Sequence, residues 1–247
     1  PKEWVKLYAG QKGLGSRILM DMIDPGVDPF SPDNCVVLTT SIMGGTVVSC
    51  SAKLAMTTKS PLTGTITDGS VGGHVGAELK YAGYDAVVIK GAAKSLSYLY
   101  ISPSAAEIKP CPDLAGVGTF RTEETIKDAE KDEKLKVLAI GPAGENRILF
   151  SCVSSERYRQ LGRGGIGAVM GSKNLKGIAI RGWLDVGAAD MKKLLGLAKE
   201  LHEKDAVVAE GNDMYVYGTP ILVDLSNNTG LLPTRNFQEG TFEKAAA

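Results

Sequence analysis

Long apolar runs, an excess of one charge and closely spaced cysteines are all missing from this 247-residue sequence. No run approaches the roughly 20 apolar residues of a membrane-spanning helix, so no membrane partner is expected. Lys and Arg number 28, as do Asp and Glu, and this balance gives no global reason to expect a nucleic-acid partner. No secretory signal is visible at the start of the sequence.

The four cysteines are too scattered to suggest a cluster of their own. Cys35, Cys50, Cys111 and Cys152 form no C-x-x-C pair, which metal and iron–sulfur sites commonly use. We therefore expect four reduced, structural thiols that are distant from one another, in a cytoplasmic protein. Any two of these sulfurs sharing one metal would contradict that expectation.

Glycine is the residue present in unusual number. The chain has 30 glycines, above the typical ~7% of residues. They fall in short, distinct motifs rather than in low-complexity sequence. With 43% hydrophobic and 23% charged residues, the remainder is ordinary for a globular protein that can bury a sizeable core.

The residue pattern predicts a mixed region followed by a helical one. Helices are expected at 1–24 (interrupted by Gly10 and Gly13), 74–82 and 122–133. Strands are expected at 35–40, 51–58, 86–90, 96–102, 106–110, 136–140, 147–154 and 177–181. Beyond residue 185, two features favour a second domain. A helix is expected at 219–229, capped by Thr219 with Pro220 next. Apolar residues also recur at helical spacing, at Met191, Leu194, Leu195, Ala198 and Leu201. We predict an α+β domain over 1–184 and the beginning of a helical domain over 185–247.

The segment 159–176 (RQLGRGGIGAVMGSKNLK) is the strongest candidate for ligand binding. Glycines allow close backbone approach, and consecutive N–H groups in such turns form an anion-binding concavity. A helix beginning near 165 would add the positive end of its dipole. Arg159 and Arg163 offer planar, multi-donor contacts to phosphate or to the edge of a pterin-like ring. The alternative is a tight glycine turn that packs a helix on a strand.

A dinucleotide-binding fingerprint is a further alternative for this segment. Gly162, Gly164 and Gly167 fit G-x-G-x-x-G, and Asp185 follows at a suitable distance. However, residues 155–161 separate the glycines from the preceding strand, and the following helix is short for a crossover. The fingerprint is weak evidence here.

A second glycine pair, Gly72-Gly73, also precedes a short helix and could grip another phosphate-bearing group. Within this segment His74 could be catalytic or a ligand, although a lone histidine beside glycines is more often neither. Glu78 could act as a general base or as a solvated capping group. Lys53, just before a turn, could point at the same site or face solvent.

Six longer motifs make the pattern specific. They are 28–34 (DPFSPDN), 59–64 (KSPLTG), 76–85 (GAELKYAGYD), 141–146 (GPAGEN), 162–176 (GRGGIGAVMGSKNLK) and 232–238 (LPTRNFQ). In this order they resemble the aldehyde:ferredoxin oxidoreductases, a family of tungsten–pterin enzymes. The resemblance runs from about Leu7 to Phe242.

That resemblance implies a fold and a cofactor. The fold is two packed β-sheets with short helices that form a base for a tungsten bis-pterin, with molybdenum as an occasional substitute. Dithiolene sulfurs hold the metal, and a Mg²⁺ bridges the pterin phosphates. The residues implied are Ser70 and Gln160, whose backbone carbonyls bind Mg²⁺, and Val71, Gly72, Arg159, Gly162 and Arg163, which line the cofactor. Lys53 stands where the family commonly has an Arg that links pterin and cluster.

The resemblance also implies that parts of the family's usual chain lie outside this sequence. These are an N-terminal hairpin, a C-x-x-C-x-x-x-C motif for a 4Fe–4S cluster, and the substrate pocket with its acid–base residues. No catalytic residue is therefore assigned within 1–247.

The expected whole protein oxidises aldehydes to carboxylic acids and passes electrons to ferredoxin or another electron-transfer subunit, in a homo- or hetero-oligomer. The alternatives are another reaction on the same scaffold, such as reduction of an aromatic acyl-CoA ring, and a non-catalytic pterin-binding or assembly subunit.

Overall fold

A computed structural model describes residues 2–209 and 212–245 of the chain. Internal contacts divide the chain into two compact units, Pro1–Ala189 and Asp190–Ala247. The domain boundary at 184/185 stays a prediction. No described helix has the length and apolar character needed to cross a membrane.

The first unit alternates short helices with strands. Its helices are α1 (Lys2–Tyr8), α2 (Gln11–Met22), α3 (Val75–Tyr81), α4 (Thr119–Glu130), α5 (Pro142–Glu145) and α6 (Ile166–Ser172). Its strands are β1 (Cys35–Thr40), β2 (Leu54–Lys59), β3 (Ile66–Val71), β4 (Ala86–Lys90), β5 (Ser97–Ile101), β6 (Ala106–Pro110), β7 (Lys136–Ala139), β8 (Val153–Ser155), β9 (Arg159–Leu161) and β10 (Leu175–Ile180). A 3₁₀ turn covers Pro112–Leu114.

The strands form two sheets that share one core. The four-stranded sheet has the order β3-β2-β1-β4, and the six-stranded sheet has the order β6-β5-β10-β7-β8-β9. One buried cluster draws Val36 and Leu54 from the first sheet and Leu138 and Ile178 from the second. Burial of apolar surface between the sheets is the main stabilising force in this arrangement. The predicted α+β fold with two packed sheets is confirmed.

Local sequence explains several of these elements. β1 is buried along its whole length, as its continuous apolar and β-branched sequence predicts for an inner strand. Gly10 separates α1 from α2 with a φ of 109°, and a Cβ there would lie 2.6 Å from the Thr40 carbonyl oxygen. Gly13, which was expected to interrupt the helix as well, lies inside α2.

The predicted strand at 147–154 is largely wrong. Pro142 begins the short helix α5, and residues 146–150 follow as turns, so only Val153–Ser155 pairs in a sheet. Ile148, Leu149 and Phe150 are exposed in the described chain, which shows that their apolar character did not encode a buried strand. The strands β3 and β9 were not predicted at all.

The second unit is helical. It contains α7 (Met191–Ala209), α8 (Asp213–Tyr217), a 3₁₀ turn (Thr219–Ile221) and α9 (Leu222–Asn228). Gly218 stands at the cap position of the 3₁₀ turn and Thr219 is its first residue, so the predicted Thr219 cap is wrong. Met191, Leu195 and Leu201 are 43%, 49% and 49% exposed.

Candidate functional site

Two strands at the edges of the two sheets meet at the candidate site. β3 is the last strand of the four-stranded sheet and β9 is the last strand of the six-stranded sheet. A Cβ at Gly69 of β3 would lie 3.3 Å from the Leu161 side chain of β9, so the two strands pack closely. Ser70 pairs with Ala55 of β2, and Gln160 pairs with Ser154 of β8. Edge strands present backbone groups that the ladder does not use, which is what a carbonyl-based cation site requires.

An open cleft of about 480 Å³ lies beside these strands. Parts of segment 45–53, residues 72–74 and Arg159 supply most of its wall. Lys53, His74 and Arg159 are the ionisable nitrogen side chains of the lining, and neither Asp nor Glu is among its described lining residues. The cleft therefore offers positive charge to an anionic ligand, and solvent screens this charge less than it would in open water.

Only some of the predicted site residues line the cleft. Lys53, Gly72 and Arg159 line the cleft, and the Nη1 of Arg159 is 3.9 Å from the position of a Cβ at Gly72. The remaining residues do not line it: Ser70, Gln160, Gly162 and Arg163 are exposed on β3, β9 and the turn after β9, whereas Val71 is 1% exposed. The Val71 side chain belongs to the core, so only its backbone remains for a ligand.

The Gln160 side chain contacts Ser154 on β8 and Cys152, which precedes β8. Its Oε1 accepts a hydrogen bond from Ser154 Oγ at 2.8 Å and lies 3.4 Å from Cys152 Sγ. These contacts orient the side chain within the hairpin. Both contacts involve Oε1 and engage neither the side-chain amide nitrogen nor the backbone carbonyl.

The glycine-rich segment has an exposed part and a buried part. Gly162 is exposed, and a Cβ there would meet no described atom within 4 Å. From Gly165 onward the segment is buried: a Cβ at Gly165 would lie 2.0 Å from the Leu149 carbonyl oxygen. The Gly167 N–H donates to the Ser151 carbonyl at 3.2 Å. A protein carbonyl thus takes one of the N–H groups at the beginning of α6, and Gly165 packs against the Leu149 carbonyl.

A carboxylate that the sequence analysis did not identify accepts hydrogen bonds from the backbone N–H groups at the beginning of α3. Glu156 accepts hydrogen bonds from the N–H groups of His74 and Val75, and its Oε2 lies 2.9 Å from His74 Nδ1. Burial works to raise the pKa of Glu156, but the hydrogen bonds from His74 and the charge of Lys136 outweigh it and hold this pKa below its usual value. His74 is therefore paired, while its side chain stays 74% exposed at the cleft.

Glu78 has a structural partner. Its Oε2 accepts from the Gly182 N–H at 2.8 Å and from Arg181 at 3.3 Å. These bonds join α3 to the chain after β10, and because neither Gly182 nor Arg181 lies at a helix end, Glu78 does not act as a helix cap here. Gly76, on the same helix, allows α3 to approach segment 52–54, since a Cβ there would lie 2.3 Å from the Ala52 carbonyl oxygen.

The two lysines of the GSKNLK motif point into the protein. Lys173 Nζ donates to the carbonyls of Asn34 and Gly91 at 2.6 and 3.0 Å, and burial lowers the pKa of its ammonium group. Lys176 is fully buried, donates to the Val117 carbonyl at 2.6 Å and pairs with Glu145. Neither lysine is available to a ligand in the cleft.

The cysteines are free thiols. Cys35 and Cys111 are buried, whereas Cys50 and Cys152 are exposed, and Cys50 lines the cleft. Burial raises the pKa of Cys35 and raises that of Cys111 to about 11. No group of three His, Cys, Asp or Glu side chains suited to a metal occurs among residues 2–209 and 212–245. The mutual separation of the four sulfurs stays a prediction.

Sequence comparison matches both units of the chain to one family. A profile described as "Aldehyde ferredoxin oxidoreductase, N-terminal domain" matches residues 1–182, and one described as "Aldehyde ferredoxin oxidoreductase, domains 2 & 3" matches residues 194–247. The chain is 43% identical over 247 residues to the tungsten-containing aldehyde ferredoxin oxidoreductase of Pyrococcus abyssi, covering 99% of this chain and 40% of that protein. It thus spans about two fifths of the length of this relative.

More distant similarity reaches other oxidoreductases. The chain is 33% identical over 193 residues to the aliphatic sulfonate oxidoreductase, WOR-like subunit, of Pyrococcus furiosus, covering 72% of this chain and 31% of that protein. A solved structure of the active site complex BamBC of benzoyl coenzyme A reductase with 1,5-dienoyl-CoA superposes with a TM-score of 0.80 at 32% identity. It covers 95% of this chain and 33% of that chain. On the two profile matches and the identity across its whole length, the chain belongs to the aldehyde ferredoxin oxidoreductase family.

Proposed function

We propose that this chain supplies the cofactor-binding base of a tungsten–pterin oxidoreductase that converts aldehydes to carboxylic acids. The observation that carries the proposal is the cleft lined by Lys53, Gly72 and Arg159 beside the two edge strands. The 43% identity to a tungsten-containing aldehyde ferredoxin oxidoreductase supports it. Electrons would pass through a 4Fe–4S cluster from other residues of the protein to ferredoxin or another electron-transfer subunit.

The residues present fit a phosphate-bearing pterin. Among the described residues, the lining of the cleft offers cations and no carboxylate, and Gly162 leaves open space where any side chain would project. Arg159 and Arg163 would bind phosphate or pterin edges through planar guanidinium groups. Ser70 and Gln160 would offer backbone carbonyls to a Mg²⁺ ion, a hard cation that prefers oxygen ligands. Lys53 would contribute a point charge.

When bound, the cofactor supplies the two-electron chemistry at tungsten or, in its place, molybdenum. This chain's residues hold the anionic groups, fix their orientation and shape the cavity, as proteins generally do for such cofactors. The acid–base residues would come from outside residues 1–247. A cytoplasmic, oligomeric enzyme is part of the proposal.

Reduction of an aromatic acyl-CoA ring is the second candidate. The superposition with the benzoyl coenzyme A reductase complex favours it, at 32% identity over 95% of the chain. The aldehyde reaction has the stronger support because identity to the Pyrococcus abyssi aldehyde enzyme is higher, at 43% over 99% of the chain.

The test is an anaerobic assay of the natural protein that carries this chain. Aldehyde-dependent reduction of ferredoxin is compared with acyl-CoA-dependent oxidation of reduced ferredoxin at equal protein concentration. We expect turnover with aldehydes and none with aromatic acyl-CoA. Turnover with the acyl-CoA alone would favour the second candidate, and tungsten-free, inactive protein would refute both.

A further inference from the structure

Glu156 joins the two backbone segments that border the cleft. Its Oε1 accepts from the N–H groups of His74 and Val75, the latter at 3.1 Å, and its Oε2 lies 2.9 Å from His74 Nδ1. The first segment follows β3, whereas Glu156 belongs to the turn between β8 and β9. One carboxylate therefore connects elements that are more than eighty positions apart in sequence.

The turn that carries Glu156 has an unfavourable backbone. Glu156 and Arg157 have φ values of 47° and 62°, the left-handed region that residues with a Cβ rarely adopt. Such a conformation persists where surrounding contacts hold it. Contacts exist on both sides: Glu156 binds the beginning of α3, and Arg157 binds Glu124 of α4 at 2.9 Å.

The position of this turn sets the position of Arg159. Arg159 begins β9 and pairs with Ser155, so only the turn separates it from the end of β8. Its Nη1 lies beside Gly72 in the cleft wall. Gly73 permits the contact with Glu156, since a Cβ there would be 2.6 Å from Oε1.

The carboxylate also occupies the N–H groups at the beginning of α3. An anionic ligand in the cleft does not gain these donors and meets the side chains of Lys53 and Arg159 instead. Lys136, whose Nζ lies 4.0 Å from Oε2, adds a further positive charge near the carboxylate. Arg159 Nη1 lies 3.9 Å from the position of a Cβ at Gly72, so its guanidinium is beside the glycine pair.

We propose that Glu156 is a positioning residue that holds the β8–β9 turn against the beginning of α3 and thereby places Arg159 for cofactor binding. The inference rests on the proposed function for its last clause only. The contact between residues 72–76 and 156–160, called the clasp below, can be measured separately from cofactor binding.

The test uses Glu156→Ala and Glu156→Gln in the natural full-length protein. Hydrogen exchange of peptides covering 72–76 and 156–160 reports the clasp, and tungsten and pterin per polypeptide report retention. Glu156→Ala removes charge-assisted bonds, so exchange at 72–76 should rise roughly tenfold to hundredfold and cofactor content should fall. Glu156→Gln keeps an acceptor oxygen and should lie between wild type and Glu156→Ala. If Glu156→Ala does not fold, Glu156→Gln and His74→Ala serve as the test variants. His74→Ala removes the side-chain contact with Glu156 but leaves the backbone hydrogen bonds in place.

Glu107→Ala is the matched control because Glu107 is an exposed glutamate on β6, at the opposite edge of the six-stranded sheet from β9. It should leave exchange at 72–76 and cofactor content as in wild type. Unchanged exchange at 72–76 in both Glu156 variants would overturn the proposal, even if cofactor were lost. Wild-type protein that holds neither tungsten nor pterin would refute the proposed function, while the exchange data would still decide the clasp.

Discussion

Replacing Lys176 by methionine tests whether the lysines of the GSKNLK motif hold the fold rather than a ligand. The side chain is fully buried, donates to the Val117 carbonyl at 2.6 Å and pairs with Glu145. The other carboxylate oxygen of Glu145 accepts from the Gly116 N–H at 2.8 Å. Methionine fills a similar volume but leaves the carboxylate and the carbonyl without their shared donor.

Breaking a buried ion pair from one side costs about 3–5 kcal/mol. Glu145 remains 17% exposed, so water can partly solvate its carboxylate. We therefore expect a loss near the lower end, about 3 kcal/mol. The double variant Lys176→Met/Glu145→Gln removes the uncompensated charge and should be more stable than Lys176→Met alone.

Denaturant-dependent hydrogen exchange of amides in β7 and β10 measures this loss, since it reports regional stability even where a large protein unfolds in several steps. A loss below about 1 kcal/mol for Lys176→Met would refute the structural role. So would a variant with wild-type stability that retains no cofactor, because Lys176 would then act on the ligand.

Three further outcomes follow from the same structure. Arg163→Ala, at an exposed position, should weaken cofactor retention about tenfold to hundredfold without changing the thermal unfolding temperature; unchanged tungsten content would show that Arg163 does not contact the cofactor. In folded protein iodoacetamide should label the exposed Cys50, less so when cofactor fills the cleft, and should spare Cys111, whose pKa burial raises to about 11; the reverse in mass spectrometry would refute the assigned exposures. The pKa of Glu156 is depressed because its hydrogen bonds to His74 outweigh burial, so its stabilisation is full above the ordinary carboxyl pKa of 4.5 and is lost as pH falls through the folded-state value. The stability gap between wild type and Glu156→Gln should therefore shrink on acidification, and a gap that widens would contradict this sign.

Much of the fold could be predicted because several strands, both inner and edge, carry a recognisable local pattern. β1, β4 and β6 occupy the predicted residues 35–40, 86–90 and 106–110. β3 was missed because its sequence ITDGSV has polar residues and a glycine, with outer positions exposed at the sheet edge. The apolar run at 148–150 led to the opposite error, a predicted strand where none forms, because apolar character alone does not specify strand pairing.

The candidate site could be predicted in its residue types but not in its internal contacts. Glycines and arginines at motif spacing indicated a place for phosphate, and the structure brings Gly72 and Arg159 together. Nothing in the local sequence showed that Glu156 would reach the beginning of α3, because that contact depends on how β9 packs beside β3. Nor could sequence show that Lys176 turns inward, since burial of a charge depends on a distant partner.

The location of the metal tests the central claim most directly. Crystals of the natural full-length protein, measured at the tungsten absorption edge, give the metal position without any assumption about the ligand. We predict one tungsten peak beside the β3–β9 edges, with a Mg²⁺ ion at the Ser70 and Gln160 carbonyls and Arg159 within hydrogen-bond distance of a pterin phosphate. A tungsten site remote from these strands, or pterin-bearing crystals with the cleft beside Gly72 empty, would contradict the account.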